Sequence, residues 1–333
     1  MTGLGRMGIR HVHAGVALGM KLVGLHDLSE PAASRALDEL HLLPNLNFGS
    51  LRELLESARP DALVVSSTAN GHAEACEIGI EFGVSTILCE KPFVDSVATA
   101  DRLCTIAEEA NVRLAVNHQV RSTARFEFLR AIVTDESYGG LVSLTASTGN
   151  IGLAMGASHY VELFRLLSGN AITGVRFFPD PEIDPNPRGR HFLDPAGRLI
   201  LEAEGGSRMF LDFGSAAGHG MTSVVATPFG RVVLDDVSGR AFTDSRTAQD
   251  RVLPRTRYSL PGSRGEVLIP IEDAATSTQR VWQEIWKEGD YCTARQGAEI
   301  VRVLAAAEFS GSRGGDLVEP SEVAAYDLSF NWA

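Results

Sequence analysis

From residue 8 to about 118 the apolar positions alternate between two periods. Spacings of three and four over 9–18, 30–40, 73–82 and 96–110 predict helices, and apolar runs at 21–26, 61–66, 84–89 and 112–116 predict short buried strands. Strands and helices taking turns at these lengths predict a parallel sheet with helices on both faces. After about residue 140 the texture changes. Strand-like runs at 141–148, 172–178, 198–201, 208–213, 222–227 and 230–235 are separated by turn residues without crossover helices, which predicts a largely antiparallel open sheet. Helical spacing returns at 274–287 and 294–310. The pattern predicts two units, 1–119 of α/β type and 120–333 of α+β type.

Composition narrows the functional classes. At 333 residues, 44% apolar and 22% charged, the chain is long enough for two folded cores. A net charge of -12 without any local run of Lys and Arg argues against a nucleic-acid partner. No apolar stretch approaches the ~20 residues a bilayer span needs, and no charged-then-apolar export signal opens the chain. No membrane partner and a cytoplasmic location are therefore expected. Cys76, Cys89, Cys104 and Cys292 lack C-x-x-C spacing, so buried free thiols are expected and no metal site is assigned.

The chain opens MTGLGRMGIRH, and Gly3-Leu4-Gly5-Arg6-Met7-Gly8 fits G-x-G-x-x-G. In such a turn one glycine makes the bend, one admits a pyrophosphate to the backbone, and one lets helix pack on strand. The strand that should precede it is missing from the pattern. Either the true start lies upstream or the sheet lacks its usual central strand, and the former is expected, because omitting a central strand would strip ladder hydrogen bonds from two neighbours. Asp27 ends the second predicted strand, where a carboxylate accepts from the ribose hydroxyls of NAD and repels the 2'-phosphate of NADP. Lys91, in Cys89-Glu90-Lys91-Pro92-Phe93, follows an apolar strand and is expected at the ligand crevice. His118 is a candidate for the pocket lining, His219 for a loop, and His11 and His13 are assigned no role.

Taken in order, the glycine turn, Asp27, Ser66-Ser67-Thr68-Ala69-Asn70-Gly71-His72, Glu90-Lys91-Pro92, Arg121 and Gly156-Ala157-Ser158-His159-Tyr160-Val161-Glu162 resemble the glucose-fructose oxidoreductase / inositol dehydrogenase / rhizopine catabolism (Gfo/Idh/MocA) family. The resemblance implies an N-terminal Rossmann domain binding NAD, a Lys-Pro bond that is often cis, and a C-terminal sheet whose open face commonly mediates homo-oligomers. It implies Lys91 and His159 as catalytic, and Ser67, Thr68, His72, Glu90 and Asn117 as cofactor-binding beside Gly3, Gly5, Arg6, Met7, Gly8 and Asp27. Arg121, His118, Met155 and Glu162 are the implied substrate-side residues. The family's usual Thr-Pro is Ser67-Thr68 here. The aspartate common four residues before the histidine is Met155.

The chemistry is consistent with that set. Moving a hydride from a carbinol carbon to nicotinamide also requires the hydroxyl proton to leave, so a group that titrates near neutrality must reach that oxygen. His159 suits this, Lys91 would polarise the developing alkoxide, and Glu162, three residues on, would orient the His159 ring. The expected function is an NAD(H)-dependent oxidoreductase interconverting a secondary alcohol and ketone on a sugar-like small molecule. The alternatives are a redox-neutral, glycosidase-like use of NAD and a catalytically silent cofactor- or sugar-sensing regulator.

Overall fold

The computed structural model describes residues 1–182, 184–218, 220–252, 262–325 and 329–332, so His219 lies outside the described residues. The first half runs α1 (Arg6–Ala17), α2 (Glu30–Glu39), α3 (Leu51–Ala58), β1 (Ala62–Val65), α4 (Ala69–Glu81), β2 (Thr86–Cys89), α5 (Val97–Glu109) and β3 (Arg113–Val116). The second runs α6 (Ala124–Thr134), β4 (Ser143–Thr148), α7 (Ser158–Ser168), β5 (Ile172–Pro179), β6 (Gly197–Ala203), β7 (Arg208–Asp212), β8 (Met221–Ala226), β9 (Gly230–Asp235), β10 (Arg240–Ser245), β11 (Ser263–Leu268), α8 (Ala274–Lys287) and α9 (Ala294–Ser312). Local chemistry sets several helix starts. Ser50, Ser96, Thr123 and Asp273 accept the N-cap bond of α3, α5, α6 and α8, and Thr293 with Gln296 closes a capping box on α9.

β1, β2 and β3 pair in parallel, Val65 opposite Cys89 and Cys89 opposite Val116. The expected gap before Gly3 is filled on both sides. Thr2 bridges His26 and Val65, with Thr2 N donating to Val64 O at 2.9 Å, Ser66 N to Thr2 O at 2.9 Å, and Gly3 N to His26 O at 3.0 Å. Met1–Gly3 is thus a stub of central strand, and the ladder continues across it. The strand expected over 21–26 shrinks to bridges at Leu25 and His26, because the stub offers partners for only two or three backbone groups. Met1, Leu4, Val12, Leu25, Ala33 and Ala36 bury one another around it.

The second sheet has the strand order β11-β10-β9-β8-β4-β7-β6-β5; only β4–β7 is parallel. β10 and β11 extend it beyond the six expected strands. β10 (RAFTDS) fully buries only Ala241 and β11 (SRGEVL) is exposed throughout, so neither shows a sustained alternation of apolar and polar positions. A single buried cluster joins Leu63, Ile87 and Val116 to Leu144, Phe177 and Leu304. Helix α8 packs on α1, and its Trp282 and Ile285 cover Leu88 and Ala115 of the first sheet. The carboxyl ends of β1, β2 and β3 therefore face the start of α7 within one continuous body. Among the described residues no helix is long and apolar enough to cross a membrane, and the four cysteines are buried and unpaired.

Candidate active site

Three glycines shape the first edge of the site, each for a different reason. Gly3 has φ +85°, and a Cβ there would overlap the Ser66–Ser67 backbone. A Cβ at Gly8 would strike the Gly3 carbonyl, so its absence lets α1 approach the turn. At Gly5 nothing lies within 4 Å of a built Cβ. Gly5 is also the N-cap of α1, with no side-chain cap and no acidic residue in the first turn, which leaves the helix amides and dipole directed at open space. Arg6 at that terminus is exposed and Met7 half-buried. The residues fit a dinucleotide pyrophosphate.

Asp27 lies beside this turn, its Oδ2 accepting from Leu4 N at 2.6 Å and its Oδ1 from Ser29 N at 2.7 Å. A carboxylate has about four acceptor positions, so the ribose hydroxyls still find lone pairs there. Ser67 and Thr68 follow β1 half-buried, their hydroxyls on Thr68 O at 3.4 Å and Asn70 Oδ1 at 2.6 Å. His72 is placed behind them. Its Nδ1 faces Pro92 O at 3.0 Å and Phe93 O at 3.1 Å, and its Nε2 faces Ser67 O at 3.1 Å. Its ring lies between the Ser67 turn and the lysine loop and faces carbonyl oxygens of both.

The Lys91–Pro92 bond is cis. Glu90, 5% exposed, accepts from Asn117 Nδ2 at 2.6 Å and faces His11 Nε2 at 2.8 Å. Burial alone would push its carboxyl up, but the bonds from His11 and Asn117 and the charge of Lys91 outweigh it and hold the pKa at about 2. His11 was assigned no role in the sequence, yet it ties α1 to the lysine loop. Its Nδ1, the Oδ1 of Asn117 and the Nδ1 of His118 are buried without partners.

Lys91 Nζ donates to Met155 O at 2.6 Å, in the π-helical turn Leu153–Ala157 that leads into α7. His159, one turn further on, meets His118 edge to face with ring centroids 5.9 Å apart. Burial, then Arg188, lowers the Lys91 ammonium below the usual lysine value, against the pull of Glu90 and Asp194. Burial first, with Lys91 and His118 adding, pushes His159 well below the usual imidazole value. His118 falls to about 3 by burial, with Lys91 and Arg121 adding to the shift. Burial thus lowers all three groups, Lys91, His118 and His159, where they come together.

Two expected substrate-side residues are already paired with each other. Arg121 and Glu162, with side chains 1% and 0% exposed, form a buried ion pair; Arg165 Nε also bonds Glu162 at 3.0 Å, and Arg121 Nη1 bonds Asp290 at 2.8 Å. Glu162 therefore bonds the two arginines, and the expectation that it orients His159 is corrected: three residues along α7 carries it past the ring to the arginine side. Met155 is half-buried in the cleft and presents its backbone, not an acid. A carboxylate that sequence reasoning missed does reach this turn. Asp194, from the segment between β5 and β6, accepts from Ala154 N at 2.7 Å and Met155 N at 3.0 Å. A separate cavity of about 410 Å³, between α7, β5 and α9, contains neither Lys91 nor His159.

A glycine turn thus leads into α1 on a parallel sheet, with Lys91 following β2 and reaching the turn before α7. Residues 1–118 match the oxidoreductase family model GFO_IDH_MocA, described as an NAD-binding Rossmann fold. The chain is similar to the 1,5-anhydro-D-fructose reductase of Ensifer adhaerens, 32% identical over 90 residues, 27% of each chain. It also resembles the UDP-N-acetylglucosamine 3-dehydrogenase of Acidithiobacillus ferrooxidans, 29% identical over 130 residues, 39% of each. The alignments thus span about a quarter and two fifths of those relatives. The fold matches an inositol dehydrogenase homolog from Azotobacter vinelandii, solved with NADH and myo-inositol, at TM-score 0.75 and 15% identity over 95% of this chain and 94% of that one.

Proposed function

We propose that the protein is an NAD(H)-dependent oxidoreductase that interconverts a secondary alcohol and a ketone on a sugar, cyclitol or nucleotide-linked sugar, acting in the cytoplasm. The observation that carries this reading is the convergence of Lys91, His118 and His159 around the start of α7. NAD, when bound, supplies the hydride acceptor or donor. The amides after Gly5 would hold the pyrophosphate, Asp27 the adenosine ribose, Ser67 and Thr68 further parts of the cofactor, Glu90 the nicotinamide ribose, and Asn117 the nicotinamide or substrate. The remaining task is the hydroxyl proton. His159, uncharged at neutral pH, accepts it from the substrate, and the Lys91 ammonium donates a hydrogen bond to the same oxygen as it becomes an alkoxide. The relatives supporting the substrate class are those named for sugars and a nucleotide sugar, with the inositol complex as fold support.

The second half carries the substrate and, in this reading, a second copy of the chain. Registers place Ile200 beside Phe210, Phe210 beside Thr145, Thr145 beside Val224, Val224 beside Val233 and Val233 beside Phe242, so one row crosses the sheet. Phe210 and Phe242 in that row are 41% and 48% exposed. The test of function is a panel of polyols, sugars and nucleotide sugars offered with NAD or NADP while reduced-nicotinamide absorbance is followed. Turnover of at least one member with NAD, and at least ~10-fold weaker affinity for NADP because its 2'-phosphate meets Asp27, is expected. No turnover across the panel, or equal cofactor affinities, overturns it.

A further inference from the structure

Residue 155 is a methionine where the resemblance leads one to look for an acid, yet a carboxylate touches this turn from another part of the chain. Asp194 is 7% exposed and spends both oxygens on successive amides, Ala154 N at 2.7 Å and Met155 N at 3.0 Å. Met155, whose amide it grips, also supplies the carbonyl that accepts from Lys91 Nζ at 2.6 Å. The approach requires a second adaptation: Gly152 has φ +69°, and a Cβ there would overlap the Asp194 carboxylate. Asn186, in the same segment, sets its Nδ2 3.6 Å from Met155 Sδ.

We infer that Asp194 is the positioning residue of Lys91: it holds the Leu153–Ala157 turn so that the Met155 carbonyl fixes the lysine ammonium, and its charge stands in for the acid that residue 155 lacks. The inference rests on the reading of Lys91 as catalytic. Asparagine would keep the shape but lose one acceptor, turning an NH₂ group toward an amide N–H, and would remove the charge. The charged and titratable groups facing Lys91 are Glu90 on its own loop, Arg188 and Asp194 on the segment between β5 and β6, and the rings of His118 and His159; Glu308 of α9 faces Asp194. Among them Asp194 raises the lysine's proton affinity, so removing its charge lowers it.

The sequence holds three lysines, Lys21, Lys91 and Lys287, so acylation of Lys91 can be followed by peptide mass spectrometry with the other two as internal standards. In the full chain, Asp194→Asn is expected to move the pH midpoint of Lys91 acylation down by about half a unit or more, with Lys21 and Lys287 unmoved. Turnover is expected to fall ~10- to 100-fold with NAD affinity within ~2-fold, the signature of a lost positioning contact. Backbone hydrogen exchange of the unaltered protein is a check that needs no variant: the Ala154 and Met155 amides should exchange slowly. An unshifted midpoint with unchanged turnover in Asp194→Asn, or fast exchange at those amides, overturns the inference. Full turnover in Lys91→Met would instead overturn the reading of Lys91 and leave the acylation result standing.

Discussion

His11 Nε2 lies 2.8 Å from Glu90 Oε1, across 79 residues of chain and with side chains 0% and 6% exposed. Glu90 is ionised at neutral pH and can only accept, so the hydrogen of this bond sits on His11 Nε2. The pair joins the helix that starts the cofactor turn to the loop that carries Lys91. Removing one partner leaves a buried charge short of a donor.

His11→Ala is therefore expected to destabilise the fold by roughly 3 kcal/mol, whereas Glu90→Gln, which removes the charge and keeps the shape, is expected to cost less. Denaturant titration of both variants checks the order. A smaller loss for His11→Ala than for Glu90→Gln would mean the carboxylate is not held by that bond.

Lys91→Ala and His159→Ala are each expected to lower turnover by at least ~100-fold, the usual size of a lost acid-base group, with NAD affinity nearly intact. Steady-state kinetics with calorimetric NAD titration separates the two effects. Near-normal turnover in either variant would remove that residue from the proposed chemistry.

Some of this site was legible in the chain and some was not, for physical reasons. Gly3, Gly5, Gly8, Asp27 and Lys91 sit at the ends of short elements, where residue type and element boundary together carry the expectation of a role. The cis Lys91–Pro92 bond came with the family resemblance and is present. His11 gave no sign, because a histidine on a helix looks the same whether or not a carboxylate waits 79 residues later. Asp194 lies in a stretch between β5 and β6 without apolar periodicity, 40 residues from the amide it binds. Glu162 was misread because i, i+3 spacing puts two side chains on one face without saying which neighbours that face meets; here they are Arg121 and Arg165. In the sheets, β10 and β11 escaped notice because neither sustains an alternation of apolar and polar positions, and the Met1–Gly3 stub is too short for any period to register.

Acid is expected to weaken the fold through His118. Its pKa is about 3 when folded and 6.5 as the reference for the unfolded chain, so below pH 6.5 the unfolded state binds the proton and stability drops, down to about pH 3. At pH 5.5 the loss relative to pH 7.5 is roughly 1.4 kcal/mol from this group. His159 and His72, shifted the same way, add to it. Glu90, held at about 2, contributes only further down, as pH falls below its ordinary 4.5. Unfolding free energies measured from pH 7.5 to 5.5 should fall less steeply in His118→Gln than in the unaltered chain. Equal slopes would show that His118 is solvated or already protonated.

The three glycines of the turn should separate folding from binding. Gly3→Ala places a side chain at φ +85° against the Ser66–Ser67 backbone, and Gly8→Ala drives one into the Gly3 carbonyl. Both are expected to lower the melting temperature by several degrees, because main chain must shift to admit the methyl group. Gly5→Ala meets no atom within 4 Å. Its melting temperature should stay within about a degree, since surface changes without steric conflict usually cost under ~0.5 kcal/mol. Its NAD affinity should nevertheless fall ~10-fold or more, because the new methyl group occupies the space over the α1 amides that a pyrophosphate needs. Calorimetric titration beside a thermal melt distinguishes the cases. If Gly5→Ala bound NAD as tightly as the unaltered chain, the open side of Gly5 would not be where the cofactor lies.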